Sequence, residues 1–268
     1  MAGQLPKMRF EIPADGHLRI PLDQLPKNPR ATLWLLAYGG IQPNTHLSIC
    51  GELAVWPNLV NCVKAGDANI DRARSRVASA FLAEPREEAG DVLLMVDADN
   101  AWEQGDLAFI AKRALEHNAV VGGIYPKRAF NQGPALRVTE GAEGDYKIGE
   151  DALIPCEFVG TGFIAIPRSI LEAISNKLQF DWVKGGFQPF FMPYVTMNEQ
   201  LEQEYPTDDQ AFCYRVRNVG FQVLASTFPR VSHDGQYTFR LIDGQVVPPP
   251  DQDIEIHLTK PVREAVPA

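Results

Sequence analysis

Five consecutive apolar residues, Val92-Leu93-Leu94-Met95-Val96, stand between Asp91 and Asp97, and a further acid, Asp99, follows after one alanine. A run this short, apolar at every position and closed by charge at both ends, fits a strand buried on both faces of a parallel sheet. It falls far short of the ~18 to 20 residues of a membrane helix, and no run in the chain approaches that length, so no membrane span is expected. Downstream, Leu107, Ile110, Ala111, Ala114 and Leu115 follow the i, i+3, i+4, i+7, i+8 spacing of a helix, and residues 119–125 read as another strand. Strand, helix, strand at this pitch predicts a βαβ unit.

Upstream, the apolar stretch 33–37 ends at Tyr38-Gly39-Gly40 and reads as a strand stopping at a loop. A strand over 59–63 and the turn Gly66-Asp67-Ala68-Asn69 lead into Ile70, Ala73, Val77 and Phe81, spaced by three, four and four as on one helix face. The fold class expected is α/β, with a mostly parallel, doubly wound sheet whose ligands sit at the C-terminal ends of the strands. The second half is mixed. Residues 158–166 read as one strand carrying Gly160-Thr161-Gly162, 169–178 as a helix, and 180–205 as irregular and aromatic. Thr207 opens a helix through a capping box with Gln210; Phe212, Val216 and Val219 form its inner face and Gly220 ends it.

At 268 residues the chain suits one large domain, expected over 31–240. Residues 1–30, with five prolines, read as a hairpin-like extension, and 241–268, with Pro248-Pro249-Pro250, as an extended tail. The N-terminus lacks the apolar stretch of a signal peptide, and Cys50, Cys62, Cys156 and Cys213 form no CxxC pair. Reduced core thiols in a cytoplasmic protein are the expectation. Twenty-five Lys and Arg against 34 Asp and Glu give a net charge of −9 with no basic block, which disfavours a large nucleic-acid footprint.

Asp97-Ala98-Asp99 places two carboxylates at the end of a buried strand, where an oxygen-only donor pair suits Mg²⁺ or Mn²⁺; two solvated acids are the alternative. An EF-hand starting at Asp97 fails, because Ala101, Trp102 and Ala108 stand at its fifth, sixth and twelfth places. A phosphatase-type DxDx[TV] and a Walker A loop are also missing. Arg72 and Arg76 share one helix face with Arg74 opposite, and Asp208 and Asp209 occupy a first helical turn, where the macrodipole favours acids whatever their chemistry. Tyr38, at a strand end, is placed to stack on a base, and Asp67 to accept a base N–H or to order its turn.

The ordered series Asp67 to Arg76, Asp97-Ala98-Asp99, Gly160-Thr161-Gly162-Phe163, Thr207 to Cys213 and Ser232-His233-Asp234-Gly235 resembles the GT-A glycosyltransferases, most nearly the family-2-type members of bacterial and phage genomes. The resemblance covers about 31–240. It implies a GT-A, Rossmann-like sheet flanked by helices and transfer of a sugar from a nucleotide-diphosphate donor to a hydroxyl. By the same resemblance Asp97 touches ribose or metal-bound phosphate, Asp99 is the principal ligand of Mn²⁺ or Mg²⁺, and His233 completes the metal set. Asp209 is then the base of an inverting transfer, beside Asp208 where Glu is more usual. Arg74 matches a nucleotide-contacting arginine, although Ser75 stands where the pattern has Asn. Lys127 and Arg128 are placed to face donor or acceptor, and Gly162 to let backbone approach the ligand. The acceptor stays open among glycan, protein, small molecule and, as an alternative, a hydroxymethylated base of phage-type DNA. A non-catalytic binding or assembly protein on the same scaffold is the rival from another class.

Overall fold

The computed structural model describes residues 31–56, 59–65, 67–127, 133–179, 181–197, 203–235, 238–239 and 254–258; the hairpin expected in residues 1–30 lies outside them. The first half runs β1 (Ala31–Ala37), α1 (Pro43–Val55), β2 (Val60–Ala65), α2 (Ile70–Ala83), α3 (Arg86–Ala89), β3 (Val92–Asp97), β4 (Asn100–Ala101), α4 (Asp106–His117) and β5 (Val120–Gly123). There follow β6 (Leu136–Val138), β7 (Gly144–Ile148), β8 (Leu153–Val159), β9 (Phe163–Pro167), α5 (Arg168–Lys177), β10 (Thr196–Met197), β11 (Gln203–Glu204), α6 (Asp208–Asn218), β12 (Val223–Ser226), β13 (Ser232–Asp234), β14 (Thr238–Phe239) and β15 (Ile254–Leu258).

The central sheet has eight strands in the order β2-β1-β3-β9-β5-β12-β8-β6. β1 is parallel to β2 and β3, and β12 to β5, whereas β9 lies antiparallel between β3 and β5. β8 is antiparallel to both β12 and β6, so β8 and β9 alone oppose the direction of the other six strands. This is the expected α/β, mostly parallel sheet flanked by helices. β3 is buried on both faces, as its all-apolar run requires: Leu93 and Met95 join Ala73, Val77, Ile170 and Phe212 on one side. Leu94 and Val96 join Ile49, Leu107 and Ile110 on the other.

The expected single strand over 158–166 is two strands. Its halves pair with different neighbours, β8 with β12 and β6, β9 with β3 and β5, and the chain turns between them at Gly160-Thr161-Gly162. Gly122 permits the crossing, since a Cβ there would stand 2.7 Å from Val159 Cγ2. α1 has no counterpart in the sequence reading, because its buried face is Thr45, Ser48, Ile49 and Glu52 and gives no apolar stripe. Glu52 docks it by accepting the N–H groups of Gly105 and Ala108 and the Trp102 indole N–H, thereby capping the start of α4.

Two further expectations are corrected and one holds. Cys156 and Cys213 are buried thiols, but Cys50 is exposed on α1. Part of the Pro-rich tail is not free-standing: β15 pairs antiparallel with β7. The capping box forms as expected, and Gly220, with φ +92, follows the end of α6 in the left-handed region. No helix among the described residues is long and apolar enough to cross a membrane.

Candidate functional site

β1 and β3 are parallel and end at the same edge, so Tyr38, 69% exposed just past β1, and Asp97, the last residue of β3, open onto one rim. The Asp97 N–H donates to Gly162 O at 2.9 Å and the Ala98 N–H to Leu36 O at 3.2 Å, which fixes the acidic turn against both neighbouring strands. Asn100 Nδ2 donates to the same Gly162 carbonyl at 2.7 Å, and the Gly162 N–H donates to Tyr125 Oη at 2.8 Å. Gly162 therefore lies inside the site: a Cβ on it would be 2.7 Å from Asn100 Nδ2, 2.8 Å from Tyr125 Oη and 2.9 Å from Asp97 Oδ2.

The late histidine reaches this rim by strand pairing. β13 lies antiparallel to β4, with His233 opposite Asn100, and the Asp234 N–H donates to Asp99 O at 2.6 Å. His233 Nδ1 is 3.1 Å from Pro126 O and its Nε2 is 3.5 Å from Asp99 Oδ1. A carbonyl oxygen only accepts, so Nδ1 carries a proton, and Nε2 faces the Asp99 carboxylate. The Tyr125 ring meets His233 edge-on at 5.7 Å between centroids.

On the other side of Asp97 sits Arg74, whose side chain is 5% exposed. Its Nη2 donates to Asp97 Oδ1 at 2.9 Å and Oδ2 at 2.8 Å, and its Nη1 donates to Asp208 Oδ2 and, at 3.5 Å, to Asp209 Oδ1. Thr161 Oγ1 also donates to Asp209 Oδ1. Burial works against the charge on Arg74, but Asp97, Asp209 and Asp208 outweigh it and keep the guanidinium protonated. Burial pushes the Asp209 carboxyl up to about 6, with Arg74 opposing and Asp208 reinforcing the shift. Burial, then Asp209 and Asp97, hold the Tyr125 phenol well above its ordinary value, so it stays neutral.

The expected residues are thus sorted. Asp97, Asp208 and Asp209 converge on Arg74; Asp99 and His233 form a second pair beside them. Arg74, expected to reach a nucleotide, is instead buried among acids. Asp67 is held by Arg72, with Nε at 3.1 Å and Nη2 at 2.6 Å, and by Arg76 Nη1 at 3.1 Å. The Arg72 hydrogen bonds keep its carboxyl below the usual range, and its side chain is 3% exposed, so it orders the turn before α2. Lys127 is exposed just after Pro126, and Arg128 lies outside the described residues. Tyr125, Thr161 and Asn100 are functional candidates that the sequence reading left without a role. Tyr125 closes an expected strand and Asn100 follows the acidic motif, so strand-end position was the signal available for both.

The three ligands expected for a metal do not gather: among the described residues no cluster of three His, Cys, Asp or Glu side chains is poised around one ion. Both Asp97 oxygens already accept from Arg74 Nη2, so this carboxylate is turned to a buried cation with one lone pair of each oxygen engaged. Asp99 and His233 are a carboxylate and an imidazole turned toward each other, a donor pair of the kind a divalent ion takes. A shallow cavity lined by Arg86, Asp91, Asn118, Arg168 and Glu172 opens at the opposite edge, where β3 begins, and holds none of these groups.

No protein-family model matches the chain, and no curated protein matches it. Solved structures similar to it include A197 from STIV, at 16% identity over 88% of this chain and 98% of that one, with a TM-score of 0.47. UDP-glucose pyrophosphorylase from Acinetobacter baumanii is similar at 11% identity over 75% of this chain and 71% of that one, with a TM-score of 0.38. A putative glucose-1-phosphate thymidylyltransferase from Bacillus anthracis, in complex with a sucrose, is similar at 7% identity over 76% and 89%, with a TM-score of 0.36. Likeness at these identities and scores carries nothing about activity.

Proposed function

We propose that the chain is a cation-assisted glycosyltransferase that moves a sugar from a nucleotide-diphosphate donor to a hydroxyl acceptor. One observation carries the reading: the strand-end acids Asp97 and Asp99, the helix-start acid Asp209 and the late His233 come to a single rim from three separate parts of the chain. Four carboxylates against one buried guanidinium leave this rim negative, and a diphosphate does not enter such a field without a counter-cation.

Asp99 and His233 would hold that divalent ion, whose charge offsets the negative charge developing on the departing diphosphate. Asp209 accepts the proton of the acceptor hydroxyl as its oxygen bonds to the anomeric carbon. The bond from that carbon to the diphosphate oxygen breaks, and the pair of electrons leaves with the diphosphate. Attack from the face opposite the leaving group inverts the anomeric centre. The Gly162 backbone, without a Cβ, lets Asn100, Tyr125 and Asp97 pack closely at the floor of the rim. Tyr38 is placed to stack on the nucleotide base at the exposed end of β1.

Calorimetry with UDP-glucose, GDP-mannose and TDP-glucose, with and without Mn²⁺, tests the reading. Binding of at least one donor that needs Mn²⁺, followed by hydrolysis of that donor that Asp99→Ala abolishes, supports it. Failure of all three to bind, or full turnover by Asp99→Ala in chelator, overturns it.

A further inference from the structure

Among the described residues three arginines, Arg74, Arg168 and Arg215, are buried, and they differ in what they hold. Arg168 donates to the carbonyls of Phe81, Leu82, Glu84 and Gly90, and Arg215 to those of Phe190 and Met192. Both tie loops and a helix end in place. The terminal nitrogens of Arg74 go to carboxylates instead, two oxygens of Asp97 on one side and Asp208 with Asp209 on the other. A planar fork that sends one terminal nitrogen to Asp97 and the other to Asp208 and Asp209 fixes the direction between these carboxylates as well as their distance, which a lysine ammonium does not do.

We propose that Arg74 is a positioning residue that yokes the donor end of the rim to the base: one guanidinium sets Asp97 and Asp209 in a fixed mutual geometry. The role given to Asp209 rests on the glycosyltransferase reading above; the clamp itself does not. Arg74 Nη1 and Thr161 Oγ1 both reach Asp209 through Oδ1. Among the described residues no hydrogen bond engages Oδ2, so the clamp orients the carboxylate with that oxygen left to receive a proton. The charged and titratable groups around Asp209 are Arg74, Asp208, Asp97 and Tyr125, from α2, its own helix, β3 and the end of β5.

The test uses the full chain labelled with ¹³C at aspartate carboxyls, with Asp97 and Asp209 assigned through Asp97→Asn and Asp209→Asn. In Arg74→Gln both resonances should move, and the Asp209 titration midpoint should rise by about one pH unit or more. Arg74→Lys, which keeps the charge without the fork, should recover part of that shift. Arg168→Gln, which removes a structural arginine, should lower the melting temperature and move neither resonance. An Asp209 resonance that titrates in Arg74→Gln or Arg74→Lys as it does in the wild type overturns the clamp. If Arg74→Gln does not fold, the Arg74→Lys comparison decides alone, since the loss of the fork must still displace the Asp97 signal.

A kinetic arm separates this proposal from the function it rests on. With Mn²⁺ and UDP-glucose, GDP-mannose or TDP-glucose, Arg74→Lys should lower kcat about 30-fold while leaving the donor KM within about threefold. A change in KM alone overturns the positioning role. No turnover by the wild type with any of the three overturns the glycosyltransferase reading, and the carboxyl resonances then decide the clamp by themselves.

Discussion

Arg74 Nη2 lies 2.9 Å from one oxygen of Asp97 and 2.8 Å from the other, so the first acid of the Asp97-Ala98-Asp99 motif is already paired by a buried cation. The second acid, Asp99, turns toward His233 instead. The two carboxylates of one short motif therefore meet different partners, although one alanine separates them.

Mn²⁺ binding, read by electron paramagnetic resonance, should divide the two acids. Asp99→Asn and His233→Ala are expected to weaken Mn²⁺ affinity about tenfold or more, whereas Asp97→Asn should change it little. Asp97→Asn should instead lower stability by about 2 kcal/mol in urea melts, because it leaves a 5% exposed guanidinium with one partner fewer. Equal loss of Mn²⁺ affinity in Asp97→Asn and Asp99→Asn would contradict this division.

The base proposed here, Asp209, imposes a pH dependence whose direction follows from its environment. Burial disfavours the charged carboxylate of Asp209 and raises it from 3.8 to about 6, so the proton is held to a higher pH than in an exposed aspartate. A base must be ionised, and kcat/KM for donor turnover should therefore fall as pH drops through about 6. Replacing Asp209 by Asn should remove that limb together with most of the activity. A limb at the same place in Asp209→Asn would assign it to another group.

Much of the scaffold was legible because its signals are local. The all-apolar run 92–96, the spacing of Leu107 to Leu115 and the Thr207 to Gln210 capping box each need only a few adjacent residues to specify a strand, a helix and a helix start. What was not legible depends on partners far away in the chain. The 158–166 segment is continuous in hydrophobicity, and only its pairing with two sets of strands divides it. α1 hides because Glu52 and Ser48, which dock it to the start of α4, are polar. At the site, spacing put Arg74 opposite Arg72 and Arg76, and that sidedness holds: Arg72 and Arg76 meet Asp67, while Arg74 faces inward. No local pattern reveals that the inward face meets α6, whose acids lie more than a hundred residues on.

Glu52 should make stability fall as pH rises toward neutrality. Burial raises its carboxyl from 4.5 to about 7 despite the N–H groups of Gly105 and Ala108 that donate to it. Between those two values the folded chain binds more protons than the unfolded one, so unfolding free energy decreases with rising pH across this window. The stability of the wild type minus that of Glu52→Gln, which does not titrate, should fall by up to about 3 kcal/mol from pH 4.5 to pH 7. Urea melts of both proteins across that range measure it, and a constant gap would show that Glu52 titrates as it does in the unfolded chain.

Gly162→Ala tests whether the rim needs bare backbone at its floor. The new methyl would stand within 2.9 Å of Asn100 Nδ2, Tyr125 Oη and Asp97 Oδ2, all three of which belong to the hydrogen-bonded frame around Gly162. Relief by moving one side chain is not enough, because the Gly162 carbonyl also accepts from Asp97 N–H and Asn100 Nδ2 and so ties the backbone to the same groups. The variant should lose about 2 kcal/mol of stability and, where folded, should bind donor nucleotide at least about tenfold more weakly. Gly122→Ala is the matched control: its methyl would meet Val159 Cγ2 at 2.7 Å in the sheet rather than in the rim. It should cost similar stability while leaving donor affinity in the folded fraction unchanged. If the two variants lose affinity alike, the effect of Gly162→Ala is one of folding and not of the site.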